Sequence, residues 1–395
     1  MREGQSLPSP IWVDTPAGFR AMLGHLRGEP ALAVDTESNS LFAYKEQVCL
    51  VQISVPGTDY LVDSLALRDL SGLGPLLADA QVLKVLHGAE YDLSVLYRDY
   101  GFTLANLFDT MWASRILGWP AHGLAALLKS YFGVSLNKKY QRANWGLRPL
   151  PPEQLDYARL DTHYLLPLRG IQALELEAMG RWPQARHRFV KLTEARWEPK
   201  SFDPDGFWQV SGIRGLDDVG RGVFGALYLF REQRARATNR PPFKVLSNRA
   251  LLALSKRRPR SQKELRRVKG ISARLVRRHG QEMLAAIRRG AGQPLAWADR
   301  PRPANNGPKL SPSGRRNGRP SAACQARFEA LRTWRNATAE ARGVEPDIVL
   351  TNQSLWAVAF SNPRSYDDLT RDGLLAPWQV DEFGRDLLAV IREKR

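Results

Sequence analysis

The sequence predicts an α/β domain over residues 1–205, a mixed sheet flanked by helices, followed by two small all-helical domains at 214–291 and 321–395. Three observations carry this. Short apolar runs alternate with helically spaced segments through the first half, the second half repeats itself at a fixed offset, and the net charge of +18 falls wholly on that second half.

In the first half, ALAVDTES at 31–38 is an apolar run that ends in acid, the pattern of a buried strand emerging at its C-terminal end. VCLVQISV at 48–55 and DYLVD at 59–63 follow at hairpin distances, and QVLKVLHG at 81–88 is a fourth strand candidate. Helical spacing takes over at 89–100, 109–119 and 124–133, and again in the long segment from Pro151 and Pro152 onward, where a first helical turn accepts proline.

A shift of 104 residues lays 227–265 onto 331–369 without a gap. Leu227 meets Leu331, Arg231 meets Arg335, Asn248 meets Asn352, and Pro-Arg-Ser at 259–261 meets Pro-Arg-Ser at 363–365; the register persists to Ile287 and Ile391. Each copy is a small helical unit. The stretch 292–320 between them has the Pro, Gly, Ser and Asn content of a flexible linker.

The copies differ in charge. Residues 1–200 hold 21 Lys+Arg against 21 Asp+Glu, whereas 214–291 hold 21 against 5 and 321–395 hold 10 against 11. Clustered cations gain affinity for a polyanion by releasing its counterions, so the first copy is the expected nucleic-acid module. Its basic surface would be SKRRPRSQKELRRVKG and RLVRRHG, with Arg257, Arg258 and Lys269 as candidate substrate contacts. The second copy would pack, position or close a ring.

With 43% apolar residues the chain can fill a core in each domain. No apolar run reaches the roughly 18 residues of a membrane span, and the N-terminus lacks a signal-peptide pattern, so the expectation is a cytoplasmic protein with no membrane partner and no requirement beyond a monomer. Two cysteines, Cys49 and Cys324, support neither a disulfide framework nor a thiolate metal site.

The chemistry is expected from four carboxylates and a tyrosine. Asp35 and Glu37 lie two apart at a strand end, so alternation aims both to one side. Asp92 opens a helix, and Tyr157 and Asp161 stand four apart on one helix face. Brought together, such acids repel unless cations neutralise them, and hard oxygen ligands suit Mg²⁺ or Mn²⁺. Taken singly each has an ordinary reading as a cap, a solvated acid or a core phenol.

Jointly, these residues resemble the DEDD exonucleases of ribonuclease H-like fold, tyrosine subtype: VDTES resembles the first motif, HGAEYDLSVL the second and YARLDTHYL the third. LVQIS, LFDTMWASRIL and NKKYQRANWGLRPLPPEQLDYA are similar to the ribonuclease D family, and the two C-terminal copies resemble HRDC modules. One departure is Gly88, where many relatives have asparagine.

The resemblance implies a 3′-5′ exoribonuclease that trims RNA, tRNA precursors typically, to nucleoside 5′-monophosphates. Asp35, Glu37 and Asp161 would hold one metal, and Asp35 with Asp92 a second. The Tyr157 hydroxyl would orient the attacking water. Leu41 and Phe42 are candidates to wedge beside the terminal base, or else ordinary core. His87 is expected as a packed histidine, not a ligand. A single-stranded DNA exonuclease and a nucleic-acid-binding adaptor with lapsed catalysis stay open as alternatives.

Overall fold

The computed structural model describes residues 7–194, 201–301, 315–316 and 319–394; most of the expected linker at 292–320 lies outside them. Six strands form one sheet: β1 (Ile11–Val13), β2 (Ala31–Ser38), β3 (Val48–Val55), β4 (Thr58–Val62), β5 (Leu83–Leu86) and β6 (Leu107–Asp109). Their order is β1-β4-β3-β2-β5-β6. The β3–β4 pair is antiparallel, whereas β1 runs parallel to β4, β2 to β5 and β5 to β6. The sheet is mixed, as the run pattern predicts. The three-residue strands β1 and β6 are additions too short to show a period of two.

Helices α1 (Pro16–Leu26), α2 (Leu73–Ala78) and α3 (Glu90–Tyr100) supply one layer. Phe19, Met22 and Leu26 of α1 pack with Leu73 and Leu77 of α2 and Leu93 and Leu96 of α3 against Leu32 and Val34 of β2. The other layer holds α4 (Thr110–Leu117), α5 (Leu124–Phe132), α6 (Pro152–His163), α7 (Leu165–Ala178) and α8 (Trp182–Glu194). There Ala33, Val85 and Phe108 meet Ile116, Leu127, Leu168 and Phe189, while Tyr157 and Ala158 of α6 cover Cys49, Leu50 and Leu61. β3 is buried along its whole length between the layers. Neighbouring residues of β2 therefore face different helices, and this decides which acids can meet.

The second half repeats in structure as it does in sequence. The first module contains α9 (Asp218–Ala237), α10 (Pro242–Val245), α11 (Asn248–Arg257), α12 (Gln262–Arg266) and α13 (Ala273–Ala291). The second contains α14 (Ala322–Arg342), α15 (Pro346–Val349), α16 (Asn352–Ser361), α17 (Tyr366–Thr370) and α18 (Pro377–Arg392). Every helix of the second starts 104 residues after its counterpart. The boundaries match because their determinants match: Ser247 and Thr351 cap α11 and α16, and Ser261 and Ser365 cap α12 and α17. Arg231 and Arg335 are both buried, and each donates to an asparagine Oδ1, Asn248 or Asn352, at 2.7 Å and to a carbonyl, of Leu246 or Leu350, at 3.2 Å. Cys49 and Cys324 are both buried.

The described residues divide into two compact units. One joins the α/β domain to the second module. In it, Ile348 of α15 enters the core beside Phe108 and Ile116, Gln184 donates to the Ile348 carbonyl at 2.6 Å, and Arg181 donates to the Arg342 carbonyl at 3.0 Å. Arg115 of α4 bridges Glu345 at 2.5 Å and Asp347 at 2.8 Å. Of the expected roles for the second module, packing is the one seen here.

The other unit is the first module with residues 38–47. Tyr44 hydrogen-bonds Glu232, the Lys45 amide donates to Asn239 at 3.0 Å, and the Lys244 ammonium stands 3.4 Å from the Phe42 ring centroid. Among the described residues no helix is long and apolar enough to cross a membrane.

Candidate active site

The C-terminal end of β2 opens into a cleft of about 450 Å³ whose lining includes Asp35, Thr36, Glu37, Asp92, Tyr157 and Asp161. All five sequence-predicted chemical residues lie in it. β2 alternation decides how. Ala33, Asp35 and Glu37 face the α6 layer, and there one oxygen each of Asp35, Glu37 and Asp161 lie within 4.8 Å of one another. Leu32, Val34 and Thr36 face the α3 layer, so Asp92 approaches from that side. Its Oδ1 accepts from the Thr36 amide at 3.0 Å and the Thr36 hydroxyl at 2.5 Å. Asp92 is a cleft wall beside the three-carboxylate cluster, held by a residue that sequence reading passes over.

Among the described residues no lysine or arginine lines this cleft, and the pKa values of its acids are raised. Burial, then the Asp92, Asp161 and Glu37 carboxylates, raises the Asp35 pKa well above the usual range, and Glu37 is raised by burial and by Asp161 and Asp92. Asp161 is raised by burial and by Asp92. For Asp92, burial outweighs the two Thr36 hydrogen bonds and takes it up to about 7. Burial and the neighbouring carboxylates push the Tyr157 phenol up, so it remains a protonated donor. Oxygen donors converging at this spacing fit a hard divalent cation, whose charge would stabilise the ionised forms.

Two further groups fix the geometry. Asp109, fully buried, accepts from the amides of Gly88 (3.1 Å) and Ala89 (2.7 Å) and from Met111 (2.9 Å) and Trp112 (3.1 Å). It thereby ties the start of α3, and with it Asp92, to α4. Gly88 has φ +73, a left-handed conformation that glycine and asparagine tolerate best. At the sheet face, Thr162 and Ser54 share a hydrogen bond of 2.7 Å, Ser54 donates to Asp59 at 2.6 Å, and His163 Nδ1 meets Asp59 at 2.8 Å. This chain seats α6, and so Tyr157 and Asp161, on β3 and β4. The polar character of Ser54 and Asp59 in otherwise apolar strands is its sequence signal. Gln141, which also lines the cleft, has no such signal.

His87 lines the cleft but bonds Thr110 at 2.8 Å, and burial lowers its pKa to about 4, so it is neutral. Leu41 is exposed, and Phe42 lies under Lys244. Arg257 donates to the Arg267 carbonyl at 3.0 Å, Arg258 pairs with Asp217 at 3.1 Å, and Lys269 is exposed.

Residues 10–177 match the family described as 3′-5′ exonuclease, and residues 221–287 and 325–391 each match the HRDC domain. The structure is similar to the catalytic core of RRP6 from Trypanosoma brucei, with a TM-score of 0.67 and 30% identity over 73% of this chain and 80% of that one. The chain belongs to the DEDD family of 3′-5′ exonucleases that carry HRDC domains. This DEDD exonuclease is 34% identical over 260 residues to Exosome complex exonuclease RRP6 of Saccharomyces cerevisiae, a match covering 62% of this chain and 36% of that protein. It thus spans about a third of the length of the curated relatives it matches. The ribonuclease D structure of Escherichia coli shares its fold, with a TM-score of 0.64 at 23% identity over 98% of this chain and 99% of that one. DEDD exonucleases use divalent metal ions.

Proposed function

We propose that this DEDD exonuclease hydrolyses RNA from its 3′ end, one nucleoside 5′-monophosphate at a time, with tRNA precursors as substrates. The observation that carries the reading is the convergence of Asp35, Glu37 and Asp161 within 4.8 Å, with Asp92 on the wall of the same cleft. Keeping four acids together, Asp92 and Asp161 buried and Asp35 and Glu37 half-buried, is unfavourable without a counter-charge, and a site for cations is the use that offsets it.

In this proposal Asp35, Glu37 and Asp161 hold one divalent ion, Mg²⁺ or Mn²⁺, and Asp35 and Asp92 support a second. Such ions, when bound, lower the pKa of water and neutralise charge developing on the attacking and leaving oxygens. The chain's own groups do the rest. Thr36 holds Asp92 in place, and the protonated Tyr157 hydroxyl orients the water toward the terminal phosphodiester. Asp109 and the Ser54–Asp59–His163 chain keep the two helices that carry these groups in register with β2. The first module, with its excess of cations, holds the body of the RNA.

The test is digestion of 5′-labelled and 3′-labelled RNA with Mg²⁺ or with EDTA, beside matched DNA. The 3′ label should leave at once as a mononucleotide and the 5′ label should shorten stepwise, only with metal and faster on RNA. Release of the 5′ label first, or products in EDTA, would overturn the assignment.

A further inference from the structure

The two modules share a fold, so one face can be compared in both. In the second module, the face formed by the C-terminal end of α14, α15 and the start of α18 is an interface. It carries Glu345 and Asp347 on Arg115, Ile348 in the α/β core, and Trp378 with its ring 6.3 Å from His187. Shifted back by 104, those positions are Pro241, Phe243, Lys244 and Arg274. The acids and apolar groups that dock the second module are replaced in the first by a proline, an exposed phenylalanine and two cations, and Glu382 becomes Arg278.

In the first module the same face is a cleft of about 390 Å³ between the end of α9, α10 and the start of α13. Its charged lining is Arg234, Arg240, Lys244, Arg274, Arg278 and His279. Glu282 takes up two of these, at 3.5 Å from Arg234 and 3.3 Å from His279. Lys244 rests on Phe42. Arg240, Arg274 and Arg278 are exposed and have no carboxylate within 4 Å among the described residues. The sequence-predicted contacts Arg257 and Arg258 differ from them: one is tied to a carbonyl and the other to Asp217.

Resting on the reading of RNA as substrate, we propose that this cleft, and not the Arg257–Arg258–Lys269 rim, is where the first module grips successive phosphates of single-stranded RNA, through Arg240, Arg274 and Arg278. The three cations line one cleft and so can face one strand together. Guanidinium groups with no carboxylate partner among the described residues give up no such ion pair on binding phosphate. An acidic protein would suit the charge as well, but the exposed Phe243 at the edge of the cleft adds a ring on which a base can stack.

The experiment measures anisotropy of a labelled 20-nucleotide single-stranded RNA with the full chain in EDTA across a KCl series. Arg240→Gln/Arg274→Gln/Arg278→Gln is compared with Arg257→Gln/Arg258→Gln/Lys269→Gln. Losing three phosphate contacts should flatten the slope of log affinity against log salt by about 2, at about 0.7 per contact, with at least tenfold weaker binding at low salt. The rim variant should change the slope by less than about 0.7. A second variant, Arg278→Glu, installs the residue that the second module carries at this position; it should weaken binding more than Arg278→Gln at a melting temperature equal to that of Arg278→Gln. A wild-type slope in the cleft variants, or a loss confined to the rim variant, overturns the proposal and leaves an acidic protein as the occupant to test. Mg²⁺-dependent mononucleotide release by the wild-type chain separates the two readings: if it occurs while the slope is unmoved, only the cleft fails, and if it does not occur, the enzyme reading fails first.

Discussion

Replacing Asp161 with asparagine should make the metal-free protein more stable while abolishing cleavage. Asp161 has an oxygen within 4.8 Å of those of Asp35 and Glu37. Two like charges at that separation repel by about 3 kcal/mol at an effective dielectric of about 20, so a fully ionised Asp161 would face about 6 kcal/mol of repulsion. Protonation, which the raised pKa values signal, relieves much of this, leaving an expected gain of about 1–3 kcal/mol for Asp161→Asn at neutral pH. With about 2–4 °C per kcal/mol for a domain of this size, the melting temperature in EDTA should rise by roughly 2–12 °C. Scanning calorimetry with EDTA and with Mg²⁺ makes the comparison, and Glu153→Gln, an exposed acid on the same helix, is the control that should move little. In Mg²⁺ the advantage should shrink, because ion binding stabilises only the chain that can bind. A lower or unchanged melting temperature for Asp161→Asn in EDTA would refute the claim that these acids oppose one another.

Burial of the titratable groups around the cleft has a pH signature. A folded pKa raised to about 7 for Asp92 means that its contribution to stability is present near pH 4 and lost as pH rises through 7, while His87, lowered to about 4, loses its contribution as pH falls below 6.5. The metal-free chain should therefore lose stability between pH 6.5 and 8, and Mg²⁺ should add more at pH 8 than at pH 6.5; thermal melts with and without Mg²⁺ at the two values check both. Tyr157→Phe should lower kcat by roughly 10²-fold with little change in KM or in metal binding, as measured by single-turnover RNA digestion. Ile348→Ala should destabilise the unit formed by the α/β domain and second module by about 2–4 kcal/mol in denaturant unfolding, since it empties a core site. Replacing both Glu345 and Asp347 with alanine should cost only about 1 kcal/mol, because both acids are about half exposed.

What could be read from the sequence was whatever a period or a repeat encodes. Alternation along 31–38 places Asp35 and Glu37 on one side, and the spacing of Tyr157 and Asp161 places them on one helix face, because both follow from local geometry. The offset of 104 likewise fixes in advance that whatever helices one copy forms recur in the other. Asp92 shows the limit. That it reaches the cleft from the α3 layer, held by Thr36, depends on which sheet face each helix covers, and that is a property of tertiary packing. β1 and β6 escape for a simpler reason, since three residues carry no periodic signal. The difference between Ile348 and Lys244 is plain in the sequence, but only the packing of Ile348 beside Phe108 shows that this position is a docking face.

The central claim is that acids from β2, α3 and α6 together hold two divalent ions. Titration of the chain with Mn²⁺, followed by the loss of the free-ion electron paramagnetic resonance signal, tests it most directly. The account predicts two ions per chain, both weakened by Asp35→Asn because that carboxylate serves both. A wild-type chain that leaves Mn²⁺ free, or an Asp35→Asn variant that takes up two ions with unchanged affinity, would contradict it.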